Sequence, residues 1–185
     1  MNFTLRPFRD SDLPSLVKNA VYKNGEYVDE LIYAISKSEE KTIEYGILTE
    51  NDLLSLLELY RQLNLGEVIN ETIAKNIWEN IKNKNIKYFI AKEDEKVIAS
   101  CYICIIPNLT RGGKSIGFIE NVITDVKYRR KGVGKTVMEN AIKYAKEQNC
   151  YKVLLQSGKK RTDAHPFYES LGFDGESKKA FELRF

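Results

Sequence analysis

Residues 129–136 read Arg129-Arg130-Lys131-Gly132-Val133-Gly134-Lys135-Thr136, with four cations set around two glycines. Glycine leaves no side chain between the peptide N–H groups and a ligand, and at a helix start those N–H groups and the helix dipole favour an anion. Such a turn suits a diphosphate. Two familiar phosphate loops do not match: a Walker A motif needs Gly where Arg129 stands, and a dinucleotide fingerprint needs a third Gly where Val137 stands. The alternative is a basic, solvated helix start.

Other reactive side chains are few. Cys101 and Cys104 have the spacing of a metal or redox pair, but they lie in the apolar run 97–106. On a strand, residues three apart face opposite sides, so the pair reads as two small buried side chains and no metal is expected. His165, the single histidine, stands beside Pro166 at a helix start, where a cap or surface role fits.

The elements that hold the basic turn are legible around it. Ile116, Phe118, Ile119, Val122, Ile123 and Val126 predict a strand. Val133, Val137, Ala141 and Tyr144 recur at helical spacing. Strand, R-x-x-G-x-G turn and helix together resemble the acyl-CoA-binding motif of the GNAT superfamily of N-acetyltransferases. A second stretch, Asp163-Ala164-His165-Pro166-Phe167-Tyr168-Glu169-Ser170-Leu171-Gly172-Phe173, resembles that family's A-x-x-F-Y-x-x-x-G-F signature.

The resemblance implies an α/β fold: a mixed central sheet, splayed at its fourth and fifth strands, with helices on both faces. It covers about residues 42–185. The sequence predicts the matching order: a strand over 42–48, a helix through Leu63 opened by a Thr49–Asp52 capping box, and a helix over 69–82 with Ile69, Ile73, Ile77 and Ile81 on one stripe. Hairpin strands follow over 87–92 and 97–106, then the central strand and helix. A strand over 151–156, a short helix over 164–171 and a strand over 181–185 close the chain.

The resemblance also implies acetyl-CoA as cosubstrate. Arg129, Arg130, Lys131, Gly132, Val133, Gly134, Lys135 and Thr136 would hold its phosphates. Val122, Ile123 and Thr124 would line the pantetheine arm, with Asp163 and Phe167 nearby. Asp163 stands where many relatives carry Asn; a carboxylate is repelled by a diphosphate, so capping the short helix is the expected role. Acetyl transfer to an amine needs a base, since an alkyl ammonium has a pKa near ~10. Glu120 is the candidate, at a position where the glucosamine-phosphate acetyltransferase group carries Glu, and is expected to share a face with Val122 and Thr124. The Val122 N–H would face the developing oxyanion. Tyr168, expected to point away from the core contacts Phe167 and Leu171, is the candidate donor to the departing thiolate. The bland readings are a solvated strand glutamate and a packing tyrosine.

The implied activity is an N-acetyltransferase acting on a primary amine of a small molecule by direct attack in a ternary complex. The alternative is a catalytically weak acetyl-CoA-binding or protein-interaction module. Tyr45, Tyr60, Arg61 and Arg111 could line the acceptor side. Relatives suggest a homodimer.

Composition sets bounds on this. In 185 residues, 29 Lys+Arg against 26 Asp+Glu give a net charge of +3, too little for a nucleic-acid surface. The cluster Lys159-Lys160-Arg161 lacks interleaved aromatics for stacking. No apolar run is long enough for a membrane span and the start, MNFTLRPFRD, has charges where a signal peptide needs apolar residues, so a cytoplasmic protein is expected. Residues 1–41 read as an N-terminal appendage ahead of the domain at 42–185. The run TLRPFRDSDLPSLVKNA resembles the opening of a ribosomal-protein alanine acetyltransferase, with a helix start at Ser11–Pro14, and VYKNGEYVDELIYAISKSE resembles its closing strands around a Lys23-Asn24-Gly25 turn. A relic of a second acetyltransferase and an ordinary extension both fit.

Overall fold

The computed structural model describes residues 3–6, 22–23, 26–27, 34–37, 42–63 and 69–183. The chain divides into two compact units, Met1–Lys41 and Thr42–Phe185. In the first, β1 (Phe3–Arg6) pairs antiparallel with β4 (Ala34–Lys37), and β2 (Tyr22–Lys23) pairs with β3 (Glu26–Tyr27) across Asn24-Gly25, a dipeptide suited to a tight hairpin. The helix start expected at Ser11–Pro14 lies outside the described residues.

The second unit is built on a five-stranded sheet in the order β5 (Glu44–Ile47), β6 (Ile86–Glu93), β7 (Lys96–Ile106), β8 (Ser115–Thr124), β9 (Cys150–Leu155). The first four are antiparallel neighbours, while β8 and β9 run parallel. A parallel pair needs a long crossover, which α3 (Val133–Glu147) provides. β7 is buried on both sides, with Val97, Ile98, Ala99, Cys101 and Ile103 fully covered, as its unbroken apolar run requires.

Two cores result. On one face, Val133, Val137, Met138, Ala141 and Ala145 of α3 pack on Ile103 and Ile119. On the other, Leu53, Leu56 and Leu59 of α1 (Leu53–Tyr60) pack on Ile90, Val97 and Ile123. The Thr49–Asp52 capping box forms and leads into α1, its buried Asp52 also meeting the Lys92 Nζ at 3.0 Å. The helix stops at Tyr60, short of Leu63.

The helix expected over 69–82 forms, with its isoleucine stripe largely uncovered, and one expectation fails, that of the closing strand. In α2 (Glu71–Ile81) Ala74 is the buried residue, and Ile73 and Ile77 remain 45% and 44% exposed. Trp78 packs on the α1-side core; with Ala74 one turn earlier, the helix turns its small and aromatic side chains inward and the isoleucine stripe outward. The closing strand over 181–185 is not formed at 181–183, where Phe181 and Leu183 are exposed and Lys179 lies over the Phe181 ring; 184–185 are outside the described residues. The short helix α4 (His165–Glu169) precedes this segment.

β8 and β9 pair only from Ser115↔Cys150 to Ile119↔Leu155. β9 ends there, while β8 continues to Thr124 with no neighbour on that side among the described residues. The sheet is therefore splayed between its fourth and fifth strands, and Glu120 lies on the β8 segment just beyond the last β9 pair.

Candidate active site

The exposed end of β8 begins with a bulge. Tyr102 pairs with Glu120 and Ser100 with Ile123, so Cys101 alone opposes Asn121 and Val122. Asn121 takes a φ of 51°, the left-handed region that a single bulged residue can occupy and that Asn tolerates better than most.

The extra residue changes which way side chains face. Ile119, 1% exposed, lies in the α3-side core; Ile123, 6% exposed, lies in the α1-side core. Residues four apart on a regular strand would share a face. Glu120, next to Ile119, therefore faces the α1 side, while Val122 packs on the α3-side core. This corrects the expectation that Glu120, Val122 and Thr124 share a face. The Ile123 side chain packs in the α1-side core and its backbone pairs with β7.

The backbone completes the opening. The Asp125 N–H donates to the Ile98 carbonyl at 2.8 Å. In an extended strand N–H directions alternate, so those of Thr124 and Val122 point away from β7, into the gap beyond β9. Asp125 anchors this strand end: its carboxylate accepts from the Lys127 N–H at 2.9 Å, from Gln62 Nε2 at 3.2 Å and from Lys96 Nζ at 3.3 Å. Burial pushes this carboxyl up, but those partners outweigh it and hold it below the usual aspartate range.

The basic turn follows. Residues Val126–Tyr128 form one 3-10 turn, Arg130 takes a φ of 60°, and Gly132 a φ of 81° just before α3. The Arg129 Nε donates to the Thr124 carbonyl at 3.1 Å, bracing the turn against the strand end. The first α3 bond runs from the Thr136 N–H to the Gly132 carbonyl at 3.1 Å, so the N–H groups of Val133, Gly134 and Lys135 precede any helical acceptor. The Val133 side chain is buried in the core and only its N–H faces outward. Lys131 Nζ lies 5.3 Å from the Tyr128 ring centroid, and Lys135 pairs loosely with Glu139 at 3.9 Å. Four exposed cations stand around three N–H groups that precede the first helical acceptor, an arrangement that favours an anion.

α4 brings Tyr168 to the same region, in a different way from that expected. Tyr168 is the buried member of the motif, 8% exposed in the α3-side core, and touches Phe167 and Phe173 at ring distances of 5.3 and 6.4 Å. Burial pushes its hydroxyl up, partly offset by Arg161; Cys101, Glu120 and Asp163 also act on it. Phe167 is half-buried, its ring edge 3.9 Å from where a Gly134 Cβ would be. Asp163 does not cap: the helix starts at Ala164 with no side-chain cap bond and Pro in its first turn, which leaves one donor fewer to satisfy. His165 Nε2 lies 3.2 Å from the Gly158 carbonyl and ties down the preceding loop.

Glu120 is half-buried, and desolvation raises its carboxyl above the usual glutamate range, with the Asn121 N–H acting against this. Tyr102 stands opposite it on β7, and its ring lies 5.0 Å from that of Tyr88. Tyr102 borders Glu120 on the α1 side, with Tyr88 behind it, and both were missed in the sequence; alternation hinted at their shared face, but the cross-strand register that sets Tyr102 beside Glu120 is not written in either strand alone. Of the suggested acceptor residues, Tyr60 reaches this side of the sheet. Arg61 pairs with Glu58 at 3.0 Å, Tyr45 is exposed on the edge strand, and Arg111 lies over Tyr151 at the far end of β8 and β9.

Cys101 is fully buried and pushed up to about 12 by desolvation, and Cys104 is free. Among the described residues no cluster of metal-ligating side chains occurs and no helix is long and apolar enough to cross a membrane.

Comparison with known proteins fits this geometry. The family model described as the acetyltransferase (GNAT) family matches residues 53–173. A glucosamine 6-phosphate N-acetyltransferase of Trypanosoma brucei brucei is 35% identical over 133 residues, 71% of this chain and 88% of that protein. One of Arabidopsis thaliana is 29% identical over 126 residues, 65% and 82% of the two chains. Among solved structures, a Trypanosoma brucei acetyltransferase superposes with a TM-score of 0.70 at 31% identity, over 78% of this chain and all (100%) of that one.

Proposed function

Since the chain belongs to the GNAT acetyltransferase family and is an acetyl-CoA-dependent N-acetyltransferase, we propose that it acetylates the primary amine of a small molecule by direct attack, with Glu120 as base and Tyr168 as proton donor. Glucosamine 6-phosphate, the substrate in the relatives' names, is the first acceptor to test.

The residues fit the cosubstrate. The Val122 and Thr124 N–H groups lack a strand partner on the side where β9 stops, and an extended amide chain such as pantetheine would take that place. The N–H groups of Val133, Gly134 and Lys135, with Arg129, Arg130, Lys131 and Lys135 around them and Thr136 beside, would hold the diphosphate. Acetyl-CoA supplies the acetyl group as an activated thioester.

At neutral pH only about one alkyl amine in a thousand is uncharged. Glu120, on the α1 side of β8, takes the surplus proton; a positioned base of this kind contributes roughly 10²–10⁴-fold. The Val122 N–H donates to the oxygen on which negative charge develops, an effect of roughly 10²–10³-fold for one such donor. The Tyr168 hydroxyl keeps its proton through the physiological range, because burial raises it, and gives it to the departing sulfur.

The observation that carries this reading is the bulge at Asn121, which sets a desolvated carboxylate on one face of a strand whose next N–H groups open onto the vacated edge. Thiol release from acetyl-CoA with hexosamine phosphates, other small amines and peptides tests it. Turnover confined to peptides would overturn the small-molecule acceptor; cofactor-induced thermal stabilisation without turnover on any amine would favour the binding module.

A further inference from the structure

Among the described residues, two hydroxyls beneath the bulge, those of Tyr60 and Ser100, are buried without a hydrogen bond of ordinary geometry, although polar side chains lie within interaction range of the Tyr60 hydroxyl. A buried tyrosine hydroxyl ordinarily makes such a bond, so each of the two asks for an explanation. Tyr60 ends α1 and its ring packs on the α1-side core. Ser100, 1% exposed, pairs with Ile123 just past the bulge. The polar side chains that act on the Tyr60 hydroxyl include Ser100, Tyr88 and Asn121, and Asn121 is the residue whose positive φ makes the bulge.

A residue other than glycine stays left-handed only where its surroundings over-determine it. If Asn121 relaxed to extended backbone, ordinary alternation would resume along β8, and Glu120 and Val122 could not keep their present sides. We propose that Tyr60 is a positioning residue for acetyl transfer: its hydroxyl, lodged between Ser100 and Asn121, holds Asn121 left-handed and so keeps Glu120 toward the acceptor and the Val122 N–H toward the cosubstrate. Its effect on rate rests on the roles proposed above for Glu120 and Val122; its hold on the backbone does not.

Tyr60→Phe removes the hydroxyl and keeps the ring. The expected result is a kcat lowered roughly tenfold or more, with KM for acetyl-CoA changed by no more than about twofold, because a contact realised only in the transition state is lost. The 13C shifts of residue 121 should move toward extended values. Adding Asn121→Gly should restore kcat to within about threefold, since glycine adopts the left-handed region without support. Asn121→Val, with Tyr60 intact, should reproduce the defect, because a β-branched residue resists that region. Unchanged shifts at residue 121 in Tyr60→Phe, or a loss that Asn121→Gly does not restore, would overturn the proposal and leave Tyr60 a packing residue. Shifts that move while kcat stays constant would keep Tyr60 as the peg and instead remove Glu120 and Val122 from the chemistry.

Discussion

Gly134, in the first turn of α3, lies so close to the end of β8 that a Cβ on it would stand 2.4 Å from the Oγ1 of Thr124. The helix start proposed to hold the phosphates and the strand end proposed to hold the pantetheine arm are thus set against each other through a missing methyl group. Gly134→Ala separates two effects of opposite sign. Helix propensity alone would stabilise by about 0.5–1 kcal/mol. The overlap should reverse this, with a net loss of about 1–3 kcal/mol seen as a lower melting temperature, together with weaker acetyl-CoA binding by calorimetry. A more stable variant with unchanged affinity would refute the close approach.

Glu120→Gln tests the base. A base must be deprotonated to work, and desolvation raises this carboxyl, so kcat/KM of the native enzyme should fall on acidification at a pH above the ordinary glutamate value of about 4.3. In the variant that acid limb should disappear and kcat should drop roughly 10²–10⁴-fold. The pH–rate profile, measured with one amine throughout, decides; an acid limb that survives in Glu120→Gln belongs to another group.

Much of this arrangement could be read from local pattern alone. Arg129 to Thr136 and the apolar spacing of Val133, Val137 and Ala141 pointed to the turn and the helix, because each depends on neighbours in sequence. The bulge could not be read, since nothing in Ile119-Glu120-Asn121-Val122 announces that one residue lacks a counterpart on β7. That single insertion misplaced Glu120 relative to Val122. The Ile69–Ile81 stripe shows the limit of periodicity, which finds an apolar face but not which face packs: Ala74 is the buried side chain and Trp78 meets the α1-side core. Tyr168 looked free because Phe167 and Leu171 already made a helical pair; tertiary packing buried all three to different degrees.

Tyr168→Phe tests the proton donor. Its hydroxyl must be protonated to act, and burial raises it above the ordinary tyrosine value, so the native enzyme should show no loss of kcat from this group up to about pH 10. Removing the hydroxyl should lower kcat by roughly 10²-fold or more with acetyl-CoA, at little cost in melting temperature because the ring remains. A rate that recovers when the leaving thiol is made more acidic would assign the lost proton to the leaving group. Equal losses for all thioesters would make Tyr168 a packing residue.

Asp52 gives a prediction about the fold rather than the chemistry. Burial pushes its carboxyl up, but the Thr49 hydroxyl and N–H, at 2.7 and 2.8 Å, and Lys92 more than offset that and hold it below the usual aspartate range. A group whose folded value is depressed contributes stability that is present above its unfolded value, about 3.9, and is lost as pH falls through the folded one. Asp52→Ala should therefore destabilise by about 1.5–3 kcal/mol at neutral pH, the range for hydrogen bonds to a charged group. The gap between variant and native protein in urea unfolding should narrow below about pH 4, where the native carboxylate begins to protonate. The capping box and the Lys92 contact join the start of α1 to β6, so the loss should spread to the α1-side core and expose Leu53 and Leu56 to exchange before residues of α3. A gap that stayed constant from neutral pH down to about pH 2 would mean that packing, and not the charge, is what Asp52 supplies.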